Sequence, residues 1–253
     1  MKIYEHFGCN GAYADCREFL AGVECEIEAI IDPPTVAGFS MTQDHSLRNG
    51  GLEYVSTMPF TRATLVNNFK ALHSSIEFVK DSDPFSFRTS THVHINCQGL
   101  TIPQARTLVL LYALFEELLF SMVKPDRRNN IHCVPLTETY LPANYKRPIT
   151  YLHEKWHKYT ALNIKRLNDL GTMEFRHLHG TNDVELFSQW LSVLEGLWNL
   201  CQKTDIAPTT LTKDNILRWF DEVFAEVSSI KALRSNLFNI IRNSLIDVKF
   251  ACI

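Results

Sequence analysis

The segment Gly22-Val-Glu-Cys-Glu-Ile-Glu28 constrains this chain more than any other, because a carboxylate occupies every second position from Glu24 onward. Period-two alternation is the pattern of a β-strand, so Glu24, Glu26 and Glu28 share one face while Val23, Cys25 and Ile27 share the other. The apolar set asks for a buried face, yet three like charges in line repel unless a cation compensates them. Two downstream segments repeat the pattern: Thr91-His-Val-His-Ile-Asn96 and Thr172-Met-Glu-Phe-Arg-His-Leu178. Each alternates apolar residues with groups able to hold a metal or a phosphate. Side by side in one sheet, the three would line a single trough. Taken alone, the acidic segment also reads as a solvated edge strand.

With 253 residues and 45% hydrophobic content, the chain can bury a full core, and it is expected to form one domain over residues 1–253. A formal net charge of -3 argues against a nucleic-acid partner. Seven cysteines, an odd number without a Cys-x-x-Cys pair, suit reduced thiols and a cytoplasmic location. No apolar run follows Met1-Lys2, so no cleaved signal is expected. The most apolar stretch, Leu108–Val123, is interrupted by Glu116-Glu117 and is too short for a bilayer.

Along the chain, residues 1–21 predict irregular structure, and Asp32-Pro33-Pro34 stops the acidic strand. Residues 35–51 read as loop, containing Asp44, Ser46 and the turn Asn49-Gly50-Gly51; Leu52–Ser56 reads as a strand with Glu53 and Val55 on one face. An amphipathic helix is expected from Thr61 to about Val79, burying Leu65, Phe69, Leu72, Ile76 and Val79. A strand follows from Phe85 to Asn96, carrying Arg88, His92 and His94. The capping box Thr101-x-x-Gln104, with Pro103 in the first turn, starts a buried helix. Arg127-Arg128-Asn129-Asn130 predicts a basic loop, and Thr150 to Lys158 a short helix. Ala161–Leu167 and Thr172–Leu178 predict a hairpin delivering Asn163, Glu174 and Arg176. Helices near 183–202, 212–228 and 231–246 close the chain. The fold class is therefore α+β: an antiparallel or mixed sheet with helices on its apolar face and a C-terminal helical cluster over 201–253.

Carboxylates and imidazoles spaced by two on strands point into one trough, and oxygen-rich donors suit a hard cation such as Mg²⁺ or Mn²⁺ bound together with phosphates. Arg176, two residues from Glu174, fits if an anion bridges metal and guanidinium. Arg88, Arg127 and Arg128 are further anion-binding candidates. No phosphate-binding glycine loop is present, so a nucleotide would be held by metals and arginines. Against this stand simpler readings. His-x-His occurs in structural or zinc pairs, Glu-x-Arg in cross-strand ion pairs, and Arg127-Arg128 in solvated loops.

Gly22-x-Glu24-x-Glu26, Asp44-x-Ser46, Glu53-x-x-Ser56, His92-x-His94, Arg127-x-x-Asn130 and Gly171-Thr172-x-Glu174-Phe175-Arg176 together resemble, in order from about residue 20 to 200, the amidoligase family of bacteria and phages. That family belongs with the glutamine synthetase and glutamate–cysteine ligase-like carboxylate–amine ligases. The resemblance implies a curved antiparallel sheet of the glutamine synthetase catalytic type, which binds ATP with two or three Mg²⁺ ions (or Mn²⁺). It implies Glu24, Glu26, Glu53, His92 and Glu174 as metal ligands. His94 and Arg176 would contact ATP phosphates, with Arg88, Arg127 and Asn163 as further nucleotide contacts. Arg127 or Arg128 would face a phosphate or the substrate carboxylate. Arg176, Glu53 and Arg128 are then the catalytic candidates, and Asp44, Ser46, Ser56 and Asn130 lie on the substrate side. The implied reaction joins a small-molecule or peptide carboxylate to an amine through an acyl phosphate.

No segment matching the separate N-terminal domain that completes a neighbouring site in glutamine synthetase is expected in this sequence, so either the monomer closes its own site or residues 1–21 and the C-terminal helices take that role. The alternatives are a metal-dependent hydrolase using His92, His94 and the carboxylates, which has no role for Arg176, and an inactive binding module.

Overall fold

In the computed structural model, which describes residues 1–136 and 145–253, the acidic segment forms the C-terminal part of strand β1 (Leu20–Ile27), with Glu28 just past its end. The other strands are β2 (Ile30–Ile31), β3 (Phe39–Gln43), β4 (Leu52–Ser56), β5 (Phe60–Thr61), β6 (Glu77–Phe78), β7 (Thr91–Asn96), β8 (Leu162–Asn163) and β9 (Thr172–Phe175). Seven of them make one sheet in the order β3-β4-β1-β7-β9-β8, with β5 also pairing to β1; every pairing in it is antiparallel. β2 and β6 form a separate ribbon.

Val23, Cys25 and Ile27 of β1 are buried on one side with Tyr54, Val93, Ile95, Met173 and Phe175. Against them lies helix α3 (Ile102–Ser121), capped by the predicted Thr101/Gln104 box and buried on nearly all sides. Its Tyr112 meets the edge of the Phe175 ring at 5.8 Å. Helix α2 (Arg62–Ser75) and the Val184–Lys203 helix cover the rest, with Phe69 stacked on Phe187 at 4.0 Å. At Gly196 the Val184–Lys203 helix crosses the Val223 backbone so closely that a Cβ would sit 2.9 Å from it. One cluster of buried residues runs from Ile3 to Ala251.

Several boundaries differ from expectation, each for a local reason. Residues 1–21 contain a short helix α1 (Ile3–Phe7), tied down because Ile3 N donates to Leu100 O. β1 ends at Ile27, before the prolines, because Ala29 and Asp32 take positive φ and turn the chain. Residues 35–51 hold strand β3, whose side chains beyond Phe39 are exposed and so lack any alternation in hydrophobicity. Helix α2 starts at its Thr61 cap but stops at Ser75; Ile76 then turns extended and Val79 is half exposed. Residues 85–90 are loop, so Arg88 is not on the strand with His92 and His94. Pro125–Asn129 forms a 3-10 turn rather than an open loop. The last expected helix is broken into Ser228–Lys231, Leu237–Ile240 and Arg242–Cys252. Among the described residues, no helix is long and apolar enough to cross a membrane.

Candidate active site

Strand register assembles the polar face in rows. Glu26 pairs with Glu53, Glu24 with His92, and Gly22, His94, Glu174 and Asn163 follow one another across β1, β7, β9 and β8. Three of these groups converge: ligand atoms of Glu24, His94 and Glu174 lie within 4.8 Å of one another. His94, expected as a phosphate contact, thus sits among the candidate metal ligands.

His92 is buried, with Nδ1 3.3 Å from Glu24 Oε2 and 3.4 Å from Glu174 Oε1. Its Nε2 lies 2.7 Å from Ser90 Oγ, while Ser90 donates both N–H and hydroxyl to Glu26 Oε2 at 2.7 Å each. Ser90 thus ties His92 to Glu26, and the other ring nitrogen, Nδ1, faces two carboxylates. His94 Nδ1 sits 3.1 Å from Thr172 Oγ1. Its Nε2 lies 3.1 Å from Glu24 Oε1 yet is buried without a hydrogen bond.

Electrostatics separates the carboxylates. Burial would raise Glu24, but contacts from His92 and His94 outweigh it and hold the carboxyl far below its usual range. Glu174 is also lowered: burial opposes, but His92, His94 and Arg176 prevail. His94 is raised despite its burial, through Glu24 and then Glu174. Glu53 goes the other way. Burial and the charges of Glu24 and Glu26 raise it, and its side chain accepts the Thr42 hydroxyl at 3.1 Å. Glu28 does not extend the row, because the strand has ended and its Oε1 accepts Arg48 N at 2.7 Å.

Arg176 pairs with Glu174 Oε1, its Nε donates to His132 O at 3.0 Å, and Asn163 Nδ2 donates to the other Glu174 oxygen at 2.7 Å. Arg176 borders a cleft of about 580 Å³ whose lining includes Glu26, Ser90, Arg88, Arg127, Phe87 and Tyr159. Asp44, Ser46 and Asn130 line the same cleft. Of these, Asp44 accepts Ser46 N and Asn130 accepts His132 N, each through a side-chain oxygen at 2.8 Å, so both also shape their own turns. Arg88 donates to Ser46 O at 3.2 Å. Arg127 is buried and donates to the carbonyls of His177 and Arg176, at 3.0 and 2.6 Å. Arg128 does not line this cleft; its guanidinium pairs with Glu117 at 2.9 Å and covers Phe120.

At the other end of the row a second cleft, of about 280 Å³, opens where β1 changes partner from β4 to β5. Ser56 lines it, but its hydroxyl accepts Val23 N at 2.9 Å, replacing the ladder bond lost at the break. Ser90 and His132 have no role assigned from the sequence, and Thr172 enters there only as part of the Gly171–Arg176 motif. Ser90 is legible in principle as a polar residue adjoining an alternating segment, whereas His132, which gives its carbonyl to Arg176, leaves no signal.

A family model described as putative amidoligase enzyme matches residues 58–198, more than half of the chain. The matched span holds His92, His94, Glu174 and Arg176, while β1 and Glu53 precede it. No curated protein matches the chain.

Proposed function

This chain belongs to the amidoligase family, and from that membership we propose that it is an ATP-dependent carboxylate–amine ligase working through an acyl phosphate on a sheet of the glutamine synthetase type. One observation carries the proposal: Glu24 and the buried His92, His94 and Glu174 form one row whose Glu174 is paired to Arg176, and Arg176 opens onto a cleft also lined by Arg88, Arg127, Glu26, Asp44 and Asp126.

The donor set fits a divalent cation. His94 Nε2 faces Glu24 Oε1 at 3.1 Å, His92 Nδ1 faces Glu24 and Glu174, and the carboxylate oxygens are hard donors. Glu24, His94 and Glu174 would hold Mg²⁺ or Mn²⁺, with His92, Glu26 and Glu53 alongside. When bound, the cation would neutralise phosphate charge and polarise the transferred phosphoryl group.

The protein's own groups do the rest. Arg88 and Arg176 offer guanidinium donors to phosphates or to the acid's carboxylate, and Phe87 and Tyr159 give the same cleft aromatic faces on which a purine could stack. Arg127 directs Nε and Nη2 to the main chain at 177 and 176, so it holds the segment that carries Arg176 while also lining the cleft. In the first half-reaction a carboxylate oxygen attacks the terminal phosphorus and ADP leaves. In the second, the amine attacks the acyl carbon and phosphate leaves. Ser90 keeps Glu26 and His92 oriented throughout. A metal-dependent hydrolase would need no nucleotide and would leave Arg176 without a task.

Thermal-shift measurements with ATP, with and without Mg²⁺, test the proposal. Stabilisation by ATP only when Mg²⁺ is present is the expected result. Stabilisation by zinc alone, with no response to ATP, would replace it with the hydrolase.

A further inference from the structure

Residues 44–51 join β3 to β4, whose last paired rung is Gln43 with Leu52. The tip of this hairpin is held at its main chain by two charged side chains from elsewhere. Glu28 directly follows β1 and is buried; its Oε1 accepts Arg48 N at 2.7 Å, and its own N donates to Pro84 O at 3.1 Å. From the other side, Arg88 Nη1 donates to Ser46 O at 3.2 Å. The tip also closes on the sheet at Gly51, where a Cβ would lie 2.7 Å from Leu47 Cβ and 3.0 Å from Ile27 O.

Within the tip, Asp44 accepts Ser46 N through Oδ1 at 2.8 Å and Leu47 N through its carbonyl at 3.1 Å, and Gly51 N donates to Arg48 O at 2.9 Å. These bonds make residues 44–51 one compact unit, so anchoring Arg48 also fixes the Ser46 carbonyl two residues earlier. That carbonyl bears on Arg88, an exposed side chain in the loop before β7. An exposed arginine gives up much rotamer freedom to hold one orientation. The cleft it lines also holds the carboxylates of Glu26, Asp44 and Asp126, any of which could draw it aside. A carbonyl is a neutral acceptor: it takes one guanidinium N–H, sets the plane, and leaves the charge and the remaining donors for a ligand.

We infer, on the basis of the ligase reading, that Glu28 is a positioning residue for nucleotide binding. It anchors the β3–β4 tip through Arg48 N, and the tip's Ser46 carbonyl holds Arg88 toward the ATP phosphates. The third carboxylate of the acidic segment thus has a task separate from that of Glu24 and Glu26. Orienting Arg88 in advance removes part of the ordering cost that binding would otherwise carry.

The test is a double-mutant cycle on Mg²⁺·ATP binding to the full chain by calorimetry, joined to amide hydrogen exchange without nucleotide. Glu28→Ala should weaken binding about threefold to tenfold, the effect of losing one orienting hydrogen bond. Glu28→Gln keeps a carbonyl oxygen for Arg48 N and should restore the affinity. Arg88→Ala should weaken binding at least as much as Glu28→Ala, and the Glu28→Ala/Arg88→Ala protein should bind no more weakly than Arg88→Ala alone. Gly51→Ala pushes the tip off Ile27 while leaving both anchoring side chains in place, and should reproduce the loss. In exchange, Glu28→Ala and Gly51→Ala should both speed the amides of residues 44–51 and leave those of β1, β4 and β7 at wild-type rates. Wild-type affinity in Glu28→Ala, additive losses in the double variant, or faster exchange throughout the sheet would each overturn the inference. A wild-type chain without Mg²⁺-dependent ATP binding would count against the ligase reading instead, and exchange at residues 44–51 would then decide by itself whether Glu28 anchors the tip.

Discussion

Replacing Glu174 by Gln probes whether this carboxylate is surplus charge waiting for a cation or is already half of an ion pair. Glu174 is almost fully buried, Arg176 is 15% exposed in its side chain, and the two are paired through Oε1. The remaining oxygen accepts Asn163 Nδ2 at 2.7 Å. A glutamine can keep one of these bonds by turning its carbonyl to it, but its amide then presents a donor to the other donor. Turned toward Asn163, it leaves the guanidinium with the His132 carbonyl but without its carboxylate, in a mostly desolvated position. Removing one partner of a buried pair costs about 3–5 kcal/mol, and the partial exposure of Arg176 favours the lower end. Relief of repulsion from Glu24 offsets little of this, because His92 and His94 already compensate Glu24. For a chain of this size about 3 kcal/mol corresponds to a fall in Tm of roughly 6–12 °C. The assay is thermal or urea unfolding in EDTA, so that no cation contributes. An E174Q protein as stable as wild type would refute the reasoning and show that the pair with Arg176 adds nothing to the metal-free fold.

Glu53 should behave in the opposite way. Its carboxyl is raised by burial and by Glu24 and Glu26, so Glu53→Gln should leave the metal-free protein equally stable or slightly more stable while weakening the Mn²⁺ affinity read by calorimetry; a clear loss of stability would contradict it. His177 is fully buried and its pKa is pushed down to about 3 by desolvation and then by Arg127. The unfolded chain therefore binds the proton first, so stability contributed by the neutral ring is lost as pH falls from about 6.5 toward 3. It should drop by roughly 2 kcal/mol by pH 5 in urea titrations, and His177→Gln should flatten that slope. Gly171 takes φ +67°, and a Cβ there would meet Gln98 Cγ at 2.5 Å and Cys9 Sγ at 2.9 Å. Gly171→Ala should therefore cost about 1–2 kcal/mol from backbone conformation alone, with the clash added, as measured by urea unfolding.

Much of the site could be read from the sequence because strand periodicity fixes faces. Once Glu24, His92, His94 and Glu174 occur at period two on strands that pair, register puts them in adjacent rows without further information. The α3 cap was equally legible, since Thr101 and Gln104 act within one turn. What failed to show depends on contacts distant in sequence. Nothing local marks Arg127 as buried; its environment is made by carbonyls about fifty residues away. Arg128 looks the same in sequence but meets Glu117 on α3 instead. Strand β3 shows no alternation because only Phe39 is buried, and the break between β4 and β5, which opens the smaller cleft, emerges only when both are laid against β1. The exchange of His94 into the convergent trio with Glu24 and Glu174 is likewise a matter of three strands' relative placement.

The central claim is that the carboxylate–imidazole row and Arg176 couple ATP cleavage to amide formation, and product analysis tests it most directly. Purified protein with Mg²⁺ and ATP is supplied with a panel of carboxylic acids, with hydroxylamine replacing the amine so that an acyl phosphate is trapped as a hydroxamate. The account predicts ADP and hydroxamate in equal amounts, formed only when a cognate acid is present and reduced on the order of 10²-fold by Arg176→Lys, which loses the planar fork. ADP released at the same rate without any acid, or AMP and pyrophosphate in place of ADP and phosphate, would contradict it.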